Sequence, residues 1–166
     1  MKLELNISNS NSQDSQDESD PYNFLKKTAP VLEHELKILM PQSENYNAVE
    51  IDITFTDADN IRDLNATYRN VDEATDVLSF PMIDDVSELE EFSAPVLILG
   101  DVVICEIEVL KMHSELNHDE AICLMLAHSF LHLLGYDHDT PENEQAMWKL
   151  QDEIKIKMLE AIKGDK

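Results

Sequence analysis

Arginine is almost missing from this chain. Only Arg62 and Arg69 occur, and 12 basic residues face 35 acidic ones, for a formal charge of −23. A field of that sign repels polyanions at long range, which argues against non-specific nucleic-acid binding and leaves DNA out as a partner. It suits a basic protein partner, and it equally suits plain solubility. Cysteine is scarce as well. Cys105 and Cys123 lie far apart, each inside an apolar run, so they read as buried free thiols rather than as a disulfide or metal ligands. No run reaches the roughly 18–20 apolar residues of a membrane span. Met1-Lys2-Leu3-Glu4-Leu5 lacks the charged-then-apolar layout of a secretory signal. A soluble, cytoplasmic protein without membrane partners is therefore expected.

What is present is ordinary globular material. The 166 residues are 43 % hydrophobic, enough for one core and too few for two, so residues 1–166 are read as a single domain. Leu3, Leu5 and Ile7 alternate with polar neighbours as in a short strand. The segment 8–20 is polar or acidic without one apolar side chain in its Ser8–Asp20 stretch, and a flexible loop is expected there. A helix is expected from Asp20-Pro21 onward, kinked or restarted at Pro30. Val49, Ile51, Ile53 and Phe55 alternate cleanly with polar residues, which is the strongest strand signal. Asp57 is placed to cap a helix with Ile61, Leu64 and Tyr68 on one face.

Val77–Phe80 is a short strand candidate, residues 84–91 an exposed acidic loop, and Val96–Ile104 a buried central strand. Asn117 with Glu120 forms a capping box for a helix that Gly135 ends, and Ala121–Leu134 is apolar all round, as in a helix at the centre of a domain. Thr140-Pro141 opens a last helix with Met147, Leu150, Ile154 and Met158 inward. Strands early and helices late, without regular alternation or internal repeat, predict an α+β fold.

Inside that apolar helix stand His128 and His132, four residues apart and therefore on one face. Gly135 lets the chain turn back and deliver His138 to the same point. Three histidines with an open fourth position make a catalytic type of zinc site, since structural sites are closed by four protein ligands. Neutral imidazoles suit Zn²⁺. His34, His113 and His118 lack partners at ligand spacing and read as surface or core residues. The spacing His-x-x-x-His-x-x-Gly-x-x-His is that of the metzincin proteases, except that Ser129 stands where those carry a glutamate base. A peptidase is thus disfavoured, while Lewis-acid chemistry on a carbonyl or phosphoryl oxygen remains open.

The stretch His128-Ser129-Phe130-Leu131-His132-Leu133-Leu134-Gly135-Tyr136-Asp137-His138 resembles the signature of the bacterial YbeY family, endoribonucleases of ribosomal RNA maturation. Leu64-Asn65-Ala66-Thr67-Tyr68-Arg69, Thr75 to Pro81 and Leu99 to Ile104 agree with it in order, and the resemblance spans roughly residues 49 to 160. It implies one α+β, zincin-like domain with a small mixed β-sheet and a single Zn²⁺ on His128, His132 and His138 in a cleft. It also implies that Arg69 faces the metal as a catalytic residue. A guanidinium there could hold the scissile phosphate; read without the resemblance, Arg69 is a helix-end cation for Asp72 or Glu73.

The family implies a single-strand-specific, metal-dependent endoribonuclease acting late in 16S rRNA maturation at the 3′ end and in ribosome quality control. Partners would be ribosomal RNA, the small subunit and basic ribosomal proteins. The competing expectation is an acidic assembly factor with a structural metal. The family usually has glycine at Ser129, whose hydroxyl could crowd the pocket or bond to the helix backbone. Asp137 could serve as general base or orient a histidine. Thr75, Asp76 and Asp101 are read as structural, and Lys111 or Lys149 as possible edges of the cleft.

Overall fold

Alternation in the first strand and in the second quarter of the chain sets up one four-stranded sheet. The structure is a computed structural model that describes residues 1–10, 20–91 and 95–164. Strand β1 (Lys2–Asn9) runs parallel to β2 (Ala48–Phe55), which runs parallel to β4 (Val96–Ile104). The short β3 (Val77–Pro81) is antiparallel to β4 and forms the far edge, giving the order β1-β2-β4-β3. The expected polar loop over 8–20 starts later than its composition suggests. Ser8 and Asn9 still pair with Thr54 and Phe55, because β2 offers their backbone groups partners whatever their side chains are. Residues 11–19 lie outside the described residues.

One face of the sheet is apolar. Leu3, Leu5, Ile7, Val49, Ile51, Ile53, Phe55, Leu99, Val102 and Ile104 are buried there. Helices α1 (Ala29–Leu39), α4 (His118–Leu133) and α5 (Pro141–Lys163) pack on that side. Pro30 restarts the chain as expected: a 3₁₀ turn over Asn23–Thr28 precedes α1, with the proline in its first turn. Buried Glu35 of α1 is satisfied by Lys157 of α5. α4 lies between the sheet and α5, which is why its sequence is apolar on every side. Phe130 and Leu131 at its centre are fully enclosed.

α2 (Ala58–Arg69), capped by Asp57 at Asn60 N, covers the other face only over β3 and β4. Ile61 is buried there with Leu78 and Cys105. The apolar stripe of α2 then runs outward, so Tyr68 is 60 % exposed although periodicity places it inward. α3 (Glu106–Met112) was not foreseen from the pattern, being only seven residues long.

Two further expectations need correction. Val96 and Ile98 are exposed rather than core, because β3 pairs only with Gly100–Ile104 and leaves the start of β4 uncovered on that side. The acidic segment 84–91 is not wholly loop: Val86–Glu91 forms a 3₁₀ turn that buries Leu89.

At Gly100 the sheet and α4 approach each other closely. Register slips between Glu50 and Ile51 against Ile98 and Gly100, and Gly100 sits at φ +154°. A Cβ there would meet the Phe80 carbonyl oxygen at 2.4 Å and Leu133 Cδ2 at 2.7 Å. Only glycine lets α4 seat against β3 and β4.

Ser129 is fully buried, and its Oγ has no hydrogen-bond partner among the described residues. Neither expectation for it holds: it does not line the cleft, and it does not bond to the helix backbone. Ser129→Ala removes an unsatisfied hydroxyl and improves helix propensity, so a gain of about 1 kcal/mol is expected. Thermal unfolding should show this as a rise of roughly 2–4 °C.

His118 opens α4 between the carboxylates of Glu106 and Asp119. Burial lowers its pKa, but hydrogen bonds to Asp119 and Glu106 outweigh that and leave it raised. A raised folded pKa stabilises most when both states are protonated, and the gain disappears as pH climbs from the ordinary histidine value of about 6.5 through the folded value. Denaturant titrations should therefore find His118→Gln more destabilising at acidic than at alkaline pH. A difference from wild type that stays constant across pH would contradict this.

Candidate metal centre

The capping box forms as read. Asn117 accepts from Glu120 N at 2.9 Å, and Glu120 accepts from Asn117 N at 3.3 Å. From this start α4 carries His128 and His132 into its last turns. The helix then ends in a Schellman arrangement: Gly135 N donates to His132 O at 3.0 Å and Tyr136 N to Leu131 O at 3.0 Å, with Gly135 at φ +92°. The reversal brings His138 beside the first two rings, and Asp137 fixes the loop by accepting from His138 N at 2.7 Å.

The three imidazoles converge. His128 and His132 Nε2 atoms are 3.0 Å apart, and one nitrogen from each ring lies within 4.8 Å of the others. Ring centroids are separated by 4.5, 5.9 and 5.3 Å. A tetrahedral ion held at about 2.0–2.1 Å places its nitrogens roughly 3.3 Å apart, which falls inside that spread. The remaining nitrogens are committed elsewhere. His128 Nδ1 donates to Gln151 Oε1 at 2.7 Å, and His132 Nδ1 donates to the Tyr136 carbonyl at 2.9 Å. Both bonds put the proton on Nδ1 and leave the Nε2 lone pairs free to face an ion. Burial first, then the neighbouring imidazoles, hold His128 and His132 below the ordinary histidine pKa, which favours the neutral ring that a metal ion requires. The donor set fits a metal ion.

The cleft beside them has a volume of about 270 Å³ and is lined by Arg69, Val77, Leu78, Ser79, Pro81, His128 and His132. Arg69 does not pair with Asp72 or Glu73. Arg62 takes Asp72 through two bonds of 2.9 and 3.2 Å, which frees Arg69. Its guanidinium donates to the Ser79 carbonyl at 2.8 Å and rests over the Phe80 ring, 5.4 Å from the centroid. Asn70, in the left-handed region at φ 59°, ends α2 so that Arg69 leaves its last turn at the edge of β3.

Several candidates lie elsewhere. Asp76 accepts from Val77 N, Thr75 Oγ1 and His113 Nε2 and anchors the start of β3, matching the structural reading of Thr75 and Asp76. Asp101 lies on the opposite face of the sheet, where burial and then Asp52 raise its pKa. Neither Lys111 nor Lys149 lines the cleft, and Lys111 pairs with Glu108. His34 is exposed on α1.

Sequence reasoning missed Gln151 and the Ser79 carbonyl. Gln151 left a signal: with Met147, Ile154 and Met158 it occupies the inner stripe of α5, where a polar side chain needs a buried partner. Gln151→Leu removes the acceptor that orients His128 and should weaken zinc binding about 10- to 100-fold in a chelator competition. Unchanged affinity would mean that packing alone orients the ring.

The chain is similar to known proteins over most of its length. The family model described as Endoribonuclease YbeY matches residues 8–159. Proteins named Endoribonuclease YbeY are similar in several bacteria. That of Clostridium botulinum (strain Eklund 17B) is 38 % identical over 162 residues, covering 87 % of this chain and 92 % of its own. Those of Thermoanaerobacter sp. (strain X514) and Clostridioides difficile (strain 630) are 36 % and 42 % identical, over 77 % and 69 % of this chain and 86 % and 73 % of theirs. The solution structure of TM1509 from Thermotoga maritima shares the fold, with a TM-score of 0.53 at 21 % identity over 98 % of this chain and 91 % of that one.

Proposed function

Because this chain belongs to the Endoribonuclease YbeY family, we propose that it is a metal-dependent endoribonuclease. In this reading residues 1–166 form one hydrolase domain, His128, His132 and His138 hold a single Zn²⁺, and Arg69 is the catalytic cation. The observation that carries it is the convergence of three imidazoles, two with their Nδ1 atoms committed to acceptors, in a cleft that Arg69 also lines. A Zn²⁺ ion bound there supplies Lewis acidity toward a phosphoryl oxygen.

The chain's own residues do the rest. Gln151 and the Tyr136 carbonyl keep two rings in the ligating tautomer. The Ser79 carbonyl and Phe80 ring hold the Arg69 guanidinium at the cleft, and its remaining N–H groups are available to the non-bridging oxygens of a scissile phosphate, where charge grows as the bond breaks. Asp137 is already used by the loop backbone, which favours its role in placing His138 over one as general base.

The finer reading follows the family: single-stranded RNA as substrate, late 16S rRNA maturation at the 3′ end, and quality control of 70S ribosomes in the cytoplasm. With a formal charge of −23, intrinsic RNA affinity is weak and basic proteins of the small subunit supply targeting. The same charge supports the second reading, an assembly factor bound to those proteins with a structural metal. A peptidase has less support, since Ser129 at the position of the metzincin base is buried away from the cleft. Among the described residues no helix is long and apolar enough to cross a membrane.

The test is cleavage of single-stranded and structured RNA by the zinc-loaded protein. His128→Ala should abolish it, and Arg69→Ala should slow it by roughly 10²–10³-fold, the usual effect of losing one charge-stabilising donor. Equal cleavage by all three proteins would point to a contaminating nuclease and end the proposal.

A further inference from the structure

A second cavity, larger than the metal cleft, is a groove of about 960 Å³ on the other face of the sheet, where α2 leaves β1 and β2 uncovered. Its floor is polar, with Asn6 and Ser8 from β1, Asp52 and Thr54 from β2, and Asp101 from β4. Asn6 donates to Asp52 at 2.8 Å, and Ser8 and Thr54 share a hydrogen bond of 3.2 Å. Lys26 also lines the groove, but the carboxylates of Asp52 and Asp101 outnumber it, so the floor is a poor seat for a phosphate backbone and a good acceptor surface for amino groups. Its wall is apolar, formed by Leu64 and Tyr68 of α2 with Phe80 of β3.

The groove adjoins the cleft through one ring. Phe80 lines the groove, touches Tyr68 edge-on at 5.3 Å, and carries Arg69 over its face at 5.4 Å. Arg69 in turn lines the cleft with His128 and His132. Tyr68 and Arg69 therefore flank the same ring, with one facing the groove and the other the cleft, close enough to engage neighbouring nucleotides of one strand. Asp101 stands opposite Phe80 in the β3–β4 register, on the same face as the groove. Tyr68 is 60 % exposed, so its ring surface is available.

We propose that this groove is a nucleobase subsite, in which an unpaired base next to the scissile phosphate stacks on Tyr68 and turns its amino edge toward Asp101 and Asp52. The proposal rests on the endoribonuclease reading. Stacking accepts any base, because every base has a π-face. The carboxylate acceptors then favour bases with an exocyclic amine, cytosine, adenine and guanine, over uracil. The acidic floor keeps the backbone outside and the base inside, which reconciles an anionic protein with an anionic substrate at this one place.

The experiment measures cleavage of short single-stranded oligoribonucleotides by the zinc-loaded full chain, wild type beside Tyr68→Ala and Tyr68→Phe. Tyr68→Ala should lower kcat/KM roughly 5- to 100-fold, the range of one lost base stack, while Tyr68→Phe, which keeps the ring, restores most of it. Zinc affinity should be the same in all three. One abasic position in the substrate should cost wild type the same factor and cost Tyr68→Ala nothing further, and cytosine there should outperform uracil. If Tyr68→Ala cleaves like wild type, or if every abasic position costs both proteins alike, the subsite is overturned while the nuclease reading stands. If wild type cleaves none of the oligonucleotides, the nuclease reading falls and the subsite falls with it.

Discussion

α4 carries two imidazoles through the middle of the molecule, and burial makes that placement costly unless each ring nitrogen has a defined use. A buried polar group left without a partner costs about 1–3 kcal/mol. Here Gln151 and the Tyr136 carbonyl take the Nδ1 protons, and the two Nε2 atoms face each other and His138. The remainder of the site depends on this division of labour. Desolvation keeps the rings neutral, neutral rings can ligate, and the acceptors behind them decide which nitrogen does so. The fold supports this from both sides, through α5, which brings Gln151, and through Gly100, which lets α4 seat against β3 and β4.

Cationic groups are so few that the use of each arginine matters. Arg62 neutralises Asp72 on the surface, and that pairing leaves Arg69 for the cleft. A carbonyl on the exposed edge of β3 and an aromatic ring hold Arg69, with no carboxylate among those contacts, so its charge is not cancelled locally. In a chain of formal charge −23, an uncancelled guanidinium beside the three histidines is a focused positive site in a negative field. An anion entering the cleft would meet this charge, while the acidic surface around it would repel the same anion at long range.

Much of the candidate site could be read without coordinates, because its parts are local. His128 and His132 share a face through helical period alone, Gly135 marks the reversal, and His138 follows within three residues. The motifs around Arg69, Thr75 to Pro81 and Leu99 to Ile104 identified the family for the same reason. Gln151 was harder, since only its place in the apolar stripe of α5 hinted at a buried partner, and the partner lies 23 residues away. The fates of Arg69, Ser129 and Tyr68 could not be read from pattern. Each depends on a neighbour supplied by another element: the β3 edge, the packed core behind α4, and the half-covered sheet face.

Local chemistry in the chain therefore determined the α+β class, the strand and helix periods, the helix caps, the free thiols and the three-histidine cluster. Tertiary structure decided which imidazole nitrogens face inward, which acid takes Arg62 rather than Arg69, where β4 emerges from cover, and that α2 leaves a groove beside the cleft. The physical reason is range. Capping, turn geometry and side-chain period act over a few residues, whereas burial, register and long-range hydrogen bonds exist only once distant segments have packed.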